Sequence, residues 1–329
     1  MNLPDELIFI ANRRKPQKTT DARMDGRICV VAGATSGVGY QAARRLAQGG
    51  ATVVMVVRNP AKAGRVSEEL KGDFGVESDV VLADFQRLSE VRAAAQAILD
   101  RYAHIDVLIN SAGIHRTRRT LTESGIEAVF CVNHLAPFLL TRLLLDRLKE
   151  SAPSRVIQVN SEGHRFGGLN VNDINWKRRP YHGLWSYGAS KVAQLLTVWE
   201  LAERLAGSGV TINAMHPGAV KTNIGMDNGP LYRWYRRNVV NRFLDEPEIA
   251  GEAIYYLAAA PELAGVTGRY FNLTIDEPPA SYVMNRDVGE RVWQISEALT
   301  GLADSAPPTE REATQSLATQ SLATQSLAT

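Results

Sequence analysis

The chain has 329 residues, of which 45% are hydrophobic, and its 37 basic and 35 acidic residues leave a formal net charge of +2. This balance excludes a strongly basic nucleic-acid-binding surface, and the length allows one large α/β domain or two small ones. The two cysteines lie outside any Cys-x-x-Cys pair and form neither a disulfide framework nor a metal-ligand set. We therefore expect a cytoplasmic protein with no bound metal and no nucleic-acid partner.

Residues 1–24 are polar and basic, and we expect them to form a flexible arm ahead of the folded domain. From residue 25 onward, short apolar runs alternate with longer amphipathic stretches. The seven runs are RICVVAG (27–33), ATVVMVV (51–57), SDVVLAD (78–84), DVLINSAG (106–113), SRVIQVNS (154–161), VTINAMHPG (210–218) and GRYFNL (268–273). Most of them are continuous rather than alternating, which indicates strands covered on both faces. The alternation predicts one α/β domain over 25–303, with a doubly wound seven-stranded parallel sheet and helices on both faces.

Three segments depart from this rhythm. Residues 219–247 are rich in aromatic residues and arginines, and we interpret them as a substrate lid; a membrane contact and an ordinary structural loop are the alternatives. The tail, 304–329, repeats a five-residue unit and is expected to be disordered. The most apolar stretch, 135–148, contains Arg142 and Asp146 at helical spacing, which indicates a buried helix rather than an integral membrane segment.

The first apolar run leads into VAGATSGVGY, a G-x-x-x-G-x-G pattern between a strand and a helix. Glycines in such a turn let the backbone approach a ligand where a Cβ would block it. The positive N-terminal end of the following helix attracts a pyrophosphate. The pattern therefore predicts a dinucleotide site. We assign to it Gly33, Thr35, Ser36, Gly37, Val38 and Gly39.

The end of the second strand indicates which dinucleotide binds. Val57 is followed by Arg58 and Asn59, and no acidic residue is present to bind both hydroxyls of an adenosine ribose. A guanidinium holds a 2′-phosphate through charge-assisted hydrogen bonds. We therefore predict NADP(H) rather than NAD(H), with Arg58 and Asn59 as binding residues. The alternative is that Arg58 is a solvated surface charge.

Tyr187 and Lys191 stand four residues apart in SYGASK, so on a helix they share one face. A phenol with a pKa of about 10 is a poor proton donor near neutrality, and a nearby ammonium favours its ionised form. Only small residues separate the two, which leaves room for a substrate and a cofactor. The ammonium of Lys191 can also hold the nicotinamide ribose, so we assign Tyr187 and Lys191 to cofactor binding as well as to catalysis. Ser161 ends the fifth strand, at the edge where parallel sheets bind ligands, and its hydroxyl can stabilise charge on a substrate oxygen. A turn cap is the alternative role for Ser161.

The glycine turn, DVLINSAG, Ser161, the Tyr187–Lys191 pair and the turn at 216–218 follow one another in an order that resembles the short-chain dehydrogenase/reductase family over residues 24–275. The final stretch VWQISEALTGL is further similar to the retinol-dehydrogenase-like branch. The resemblance implies a Rossmann fold and an oxidoreductase that interconverts an alcohol and a ketone or aldehyde of a lipophilic small molecule, with Tyr187 as general acid and base. It also implies a homodimer or homotetramer that pairs through the helices carrying Asn133 and Tyr187.

The same resemblance gives roles to further positions. Asn133 would bend its helix and hold a water that relays protons from the lysine; a purely structural buried amide is the alternative. The remaining cofactor contacts are Asp84 and Phe85 at the adenine, Asn110, Ala112 and Gly113 at the adenosine, Pro217 and Gly218 beside the nicotinamide, and Val220 and Thr222 at its carboxamide. The resemblance also makes His164 a candidate substrate contact, and the aromatic composition of the predicted lid adds Met226, Tyr232 and Trp234. Two positions depart from the family pattern, because Ala32 stands where threonine is usual and Ser111 where asparagine is.

Two other functions stay open. A non-catalytic, dinucleotide-sensing regulatory protein of this fold keeps the glycine turn but usually lacks the tyrosine or the lysine, and this chain has both. A sugar-nucleotide epimerase or dehydratase uses a different glycine spacing and a larger C-terminal substrate domain. Consumption of NADPH with a panel of carbonyl compounds, compared with the Tyr187→Phe variant, discriminates the catalytic hypothesis from the regulatory one.

Overall fold

The computed structural model describes residues 15–221, 224–226, 228–230, 234, 238 and 244–303. Its sheet contains β1 (Ile28–Ala32), β2 (Thr52–Val57), β3 (Ser78–Leu82), β4 (Val107–Asn110), β5 (Ser154–Val159), β6 (Val210–His216), β7 (Tyr270–Asn272) and β8 (Ile275–Asp276). The strand order is β3-β2-β1-β4-β5-β6-β7-β8. Neighbours are parallel except for β7 and β8, which pair antiparallel. The doubly wound fold is confirmed, and the strand count of seven is corrected to eight, because a two-residue strand carries no periodic signal.

Helices cover both faces of the sheet. They are α1 (Gly37–Gln48), α2 (Pro60–Phe74), α3 (Leu88–Arg101), α4 (Ala128–Glu150), α5 (Gly183–Arg204), α6 (Glu248–Ala259) and α7 (Arg286–Thr300). Helices α1, α2 and α6 lie on one face, and α3, α4 and α5 lie on the other. Short 3-10 turns occur at Glu162–Phe166, Pro261–Leu263 and Ser281–Met284.

Alternate residues of the central strands enter two separate cores. In β1, Val30 and Ala32 pack with α3, α4 and α5, whereas Cys29 and Val31 pack with α1, α2 and α6. This two-sided burial explains why the strands read as continuous apolar runs. It also fixes the register, since a slip by one residue would exchange the two faces. The carboxyl ends of β1, β4, β5 and β6 consequently meet at one edge.

Helix α4 is both long and apolar. Its span Ala128–Glu150 is the one helix among the described residues that is long and apolar enough to cross a membrane. However, 83% of its apolar window is buried inside the domain, and α4 packs against α3. This is the burial of a core helix, in which the apolar side chains are already covered by protein.

Helix α7 forms an additional layer over α4 and α5. The ring of Trp293 meets that of Phe138 edge-on, with 5.1 Å between centroids. Arg142 donates to Glu297 at 2.6 Å, and α7 packs along α5. The resemblance predicted pairing of subunits through α4 and α5. In this chain, α7 packs on part of the surface of these two helices.

The described part of the predicted N-terminal arm lies against the domain. The side-chain oxygen of Gln17 accepts the N–H of Thr274 at 3.1 Å, and the carbonyl of Ala22 accepts the hydroxyl of Tyr255 at 2.6 Å. Met24 is buried. Residues 17–24 therefore differ from the flexible arm that we expected, because an apolar side chain and backbone hydrogen bonds attach them. Residues 1–14 and the tail, 304–329, lie outside the described residues.

Candidate active site

The turn between β1 and α1 is closely packed. Gly33 has a φ of +86° and Gly37 of +58°, a region that side chains disfavour. A Cβ on Gly33 would lie 2.8 Å from backbone atoms of Ala112, and one on Gly39 would lie 2.4 Å from the carbonyl oxygen of Gly33. Gly33 is therefore required by close contact with the segment after β4, and Gly39 by close contact within the turn itself.

The start of α1 is suited to an anion. Ser36 precedes the helix in an extended conformation, and its side chain makes no capping hydrogen bond. The first turn contains no acidic residue, so no negative charge there offsets the positive end of the helix dipole. Thr35 and Ser36 are partly exposed, whereas Val38 is buried, so only its backbone N–H can reach a ligand. These residues fit the pyrophosphate of a dinucleotide.

The adenosine side begins where β2 ends. Arg58 is the first residue after the strand, and it is exposed. The side-chain oxygen of Asn59 accepts the N–H of Lys62 at 2.9 Å and thereby caps α2. Asp84 accepts the N–H of Gln86 at 3.0 Å in the turn after β3. At the end of β2, the guanidinium of Arg58 supplies the charge suited to a 2′-phosphate. Asn59 can add only the N–H groups of its amide, because its oxygen caps α2.

Two residues that we assigned to the cofactor face the interior instead. The ring of Phe85 belongs to the core beside α3 and α4. The buried amide of Asn110 donates to the hydroxyl of Thr141 at 2.9 Å and to the side-chain oxygen of Gln158 at 3.0 Å. Asn110 thus ties β4 to α4 and β5. Successive side chains on a strand point in opposite directions, and the motif does not show which of them face the interior.

Tyr187 and Lys191 lie on one face of α5, as their spacing predicted, with the ammonium nitrogen 5.8 Å from the centre of the phenol ring. Lys191 is 4% exposed, and burial lowers the pKa of its ammonium to about 7. The ammonium donates to the carbonyl of Val159 at 2.8 Å and to the side-chain oxygen of Gln194 at 3.2 Å. The lysine is therefore held by neutral oxygen acceptors and changes charge near neutral pH.

Ser161 follows β5 directly and begins the turn Glu162–Phe166. Its hydroxyl oxygen accepts the N–H of Gly163 at 3.0 Å, which is the capping role we considered as the alternative. A hydroxyl that accepts such a bond keeps its own proton to donate, so the two roles are compatible. A Cβ on Gly163 would lie 2.8 Å from the ring of Tyr187 and 3.3 Å from the hydroxyl oxygen of Ser161. Gly163, which the sequence did not single out, keeps these two groups close together.

Asn133 lies in a π-helical turn, Cys131–Leu135, within α4. Its side-chain oxygen accepts the N–H of Ile114 at 2.8 Å, and its amide donates to the carbonyl of Ile114 and the hydroxyl of Ser190, each at 3.0 Å. The side chain thus connects α4, the loop after β4, and α5. Its backbone carbonyl accepts the side-chain amide of Gln194 at 2.9 Å. A protein amide therefore lies where the resemblance suggested a water.

His164, which we expected to contact the substrate, is fully buried. Its Nδ1 donates to the carbonyl of Ser161 at 2.8 Å, and its Nε2 accepts the N–H of Ala280 at 3.2 Å. Burial lowers the pKa of the imidazole to about 4, so it is neutral at physiological pH. His164 therefore fixes the turn that carries Ser161, and the substrate assignment is corrected.

A buried ion cluster supports the same turn. Arg165 bonds to the carboxylate of Glu162 and, at 3.0 Å, to that of Glu277, while the hydroxyl of Tyr270 donates to Glu162 at 2.8 Å. Burial raises the pKa of Glu162, but its electrostatic interactions with His216 and Arg165 and its hydrogen bonds lower that pKa overall. The cluster joins the turn after β5 to β7 and to the segment after β8.

The nicotinamide side is formed after β6. Pro217 and Gly218 are partly exposed, and Gly218 has a φ of +81°, which suits glycine in a turn. Val220 pairs with Asp245 in an isolated parallel bridge, so the predicted lid leaves and returns to the domain at one place. Thr222 lies outside the described residues.

The substrate side is only partly described. Met226 is partly buried, Trp234 is exposed, and Tyr232 lies outside the described residues. The side chain of Asn228 donates to the carbonyl of His115 at 2.8 Å, which attaches this segment to the loop after β4. The imidazole of His115 lies edge-on to the ring of Tyr187, with 6.0 Å between centroids. His115 belongs to no sequence motif and could not be predicted from one.

Comparison with known proteins agrees with this geometry. A family model described as short chain dehydrogenase matches residues 27–231. Human retinol dehydrogenase 13 is 37% identical over 299 residues, which cover 89% of this chain and 89% of that protein. A solved structure from Mycobacterium paratuberculosis superposes with a TM-score of 0.70 at 31% identity and covers 87% of this chain and 98% of that one. A short chain dehydrogenase from Burkholderia cenocepacia J2315, solved in complex with NADP, superposes with a TM-score of 0.60 at 25% identity and covers 77% and 98% of the two chains.

Proposed function

The chain belongs to the short chain dehydrogenase family, and from this membership we propose that it is an NADP(H)-dependent oxidoreductase that interconverts an alcohol and a ketone or aldehyde of a lipophilic small molecule. The observation that carries the proposal is the arrangement of Tyr187, Lys191 and Ser161. Tyr187 lies against Gly163 beside Ser161 and one helical turn from a buried ammonium. This arrangement supports proton transfer at a substrate oxygen.

Each residue has one task in the proposed reaction. Bound NADP(H) would supply or accept the hydride at the substrate carbon. The hydroxyl of Tyr187 donates a proton to the substrate oxygen during reduction and takes it back during oxidation. The ammonium of Lys191 favours the ionised phenol. The hydroxyl of Ser161 donates a hydrogen bond to the same oxygen and stabilises the charge that develops there.

The proposal of NADP(H) is supported by the residues around the adenosine side. The glycine turn and the start of α1 fit a pyrophosphate, as described above. At the end of β2 the chain offers the guanidinium of Arg58 and no carboxylate. A solved relative of 25% identity carries NADP, which agrees with the same choice.

The proposal of a lipophilic substrate is supported by apolar side chains close to the catalytic pair. Phe166, in the turn that Ser161 begins, is 68% exposed; Leu184 and Trp185, which precede Tyr187 on α5, are 58% and 52% exposed. A Cβ on Gly168 would lie 3.3 Å from the Cβ of Trp185, so the two segments adjoin. A contiguous exposed apolar patch is typical of an interaction or ligand-binding site. The similarity to retinol dehydrogenases makes retinol and retinal the first compounds to test.

The experiment is an assay of NADPH and NADH consumption with retinal and a panel of aliphatic and aromatic aldehydes and ketones. We expect consumption of NADPH in preference to NADH, and a loss of about 10²–10⁴-fold in rate for Tyr187→Phe, because the general acid is removed. The control is Tyr102→Phe, a tyrosine that follows α3 and donates to Asp79. The proposal fails if no compound supports consumption, or if Tyr187→Phe is as active as the control.

A further inference from the structure

Gln194 has no role in the reaction described above, yet its amide bonds to three residues around the site. It lies one helical turn after Lys191 on α5 and is buried. Its oxygen accepts from the ammonium of Lys191 at 3.2 Å and from the side-chain amide of Asn160 at 2.8 Å. Its nitrogen donates to the backbone carbonyl of Asn133 at 2.9 Å. Gln194 therefore joins β5, α4 and α5 at the position of the lysine.

The ammonium depends on few acceptors. An ammonium has three N–H donors, and two of them are used by the carbonyl of Val159 and the side-chain oxygen of Gln194. From its own helix, the titratable group that faces Lys191 is the phenol of Tyr187. The contacts that β5 and α4 add to this network are carbonyls and the amides of Asn160 and Asn133. Every acceptor therefore contributes to keeping the buried lysine charged.

We propose that Gln194 is a positioning residue, whose amide holds the ammonium of Lys191 against α4 and β5 so that its charge acts on Tyr187. This inference rests on the proposed function. An amide occupies the link between Lys191 and Asn133 that the resemblance had assigned to a water. The link is therefore a fixed structural bridge, since a carboxamide that is bonded at both ends cannot rotate as a water can.

Loss of the hydrogen bond between Lys191 and Gln194 changes the pKa of Lys191 in a definite direction. In Gln194→Met a side chain of similar length keeps the packing but offers no oxygen to the lysine. The charged form of Lys191 is then less favoured, and its pKa falls further below its present value of about 7. Tyr187 then has less positive charge beside it to favour its ionised form. We expect the pH midpoint of alcohol oxidation to move upward by about one unit, which lowers the rate about ten-fold near neutral pH and restores it in alkali.

The activity experiment compares single-turnover oxidation rates with NADP⁺ across neutral and alkaline pH. The control is Thr197→Val, because Thr197 is a buried polar residue one turn further along α5 that bonds to backbone carbonyls and not to Lys191. The proposal predicts an alkaline shift of the kcat profile in Gln194→Met and no shift in Thr197→Val. A uniform loss of rate at all pH values would mean a general structural role and would overturn the proposal.

A second readout does not need turnover. The free energy of unfolding is measured against pH. In each chain, the contribution of Lys191 is the difference between its curve and the curve of the same chain with Lys191→Met. In Gln194→Met the contribution should begin to change at a lower pH than in the wild type, whereas in Gln194→Glu, where a carboxylate raises the pKa of the lysine, it should begin at a higher pH. Identical onsets in all three chains would overturn the proposal. If the wild type reduces no carbonyl compound, the proposed function fails, and the onsets still decide whether Gln194 controls the lysine.

Discussion

The cofactor side and the proton-transfer side of this site are built in different ways. Around the glycine turn, the site requires residues without a side chain, since a Cβ on Gly33 or Gly39 would overlap backbone atoms. Around Lys191, it depends on buried polar groups that each have a partner, among them Asn133 and Gln194. The cofactor side should therefore be sensitive to added volume and to surface charge. The proton-transfer side should be sensitive to lost hydrogen bonds and to pH.

Gly163 is an exception to this difference. It lies on the proton-transfer side, yet it matters because it lacks a side chain. In Gly163→Ala the new methyl group would press on the ring of Tyr187 and the hydroxyl of Ser161. We expect a loss of about 10²-fold in kcat, since small displacements of reacting groups have effects of this size. NADPH affinity, measured by fluorescence titration, should stay close to that of the wild type. A full rate in this variant would contradict the placement of Tyr187 beside Ser161.

Gly39→Ala adds the same methyl group on the cofactor side. Its Cβ would meet the carbonyl oxygen of Gly33, which is backbone and cannot turn away. We expect NADPH to bind at least about ten-fold more weakly, because overpacking of this kind typically has an effect of about 1–3 kcal/mol. The matched control is Gly64→Ala, in a helix where a Cβ has no atom within 4 Å. Equal affinities in the two variants would show that the turn does not hold the cofactor.

Arg58→Asp tests charge on the cofactor side without altering the packing. We expect NADPH affinity to fall about ten-fold while NADH affinity is kept or gained, because a charge-assisted bond to the 2′-phosphate is replaced by repulsion. Arg65→Asp, an exposed arginine on α2, controls for the change in net charge. If both variants lose NADPH affinity equally, Arg58 is a general surface charge and not a phosphate ligand.

Lys191 gives the proton-transfer side a dependence on pH that the cofactor side lacks. Its pKa is about 7 in the folded protein and 10.5 as the ordinary value, so between these pH values the unfolded chain binds more protons. The free energy of unfolding should therefore rise with pH across this window, at no more than about 1.4 kcal/mol per pH unit for one proton, and lose this rise in Lys191→Met. Chemical denaturation at several pH values measures it, with exposed Lys62→Met as the control. Parallel curves for wild type and Lys191→Met would contradict a buried lysine whose pKa is lowered to about 7.

The difference between the two sides also explains what the sequence could predict. A tight backbone turn produces a short-range pattern in the sequence, so the glycine turn at Gly33 and Gly39 could be predicted from their spacing alone. Helical spacing placed Tyr187 and Lys191 on one face for the same reason, since four residues on a helix define a direction. Continuous apolar runs gave all seven parallel strands, because burial on both faces excludes polar residues.

Contacts between segments that are distant in sequence produce no such short-range pattern. The inward direction of Asn110 and the burial of His164 depend on partners in β5, α4 and the segment after β8. The family pattern names these positions without giving the direction of their side chains. Gln194 could not be predicted, because its partners lie on three different elements and no short-range sequence pattern identifies them. The covering of α4 and α5 by α7 likewise follows from tertiary packing.

The central claim is that hydride passes between NADP(H) and a carbonyl carbon while Tyr187 supplies the proton to its oxygen. Reduction of the best aldehyde or ketone with NADPH deuterated at the transferred position, followed by mass spectrometry of the alcohol, tests this directly. The account predicts one deuterium on the carbinol carbon of the product, no deuterium there when only the solvent is labelled, and almost no product with Tyr187→Phe. Unlabelled alcohol from labelled NADPH, or full product from the variant, would contradict it.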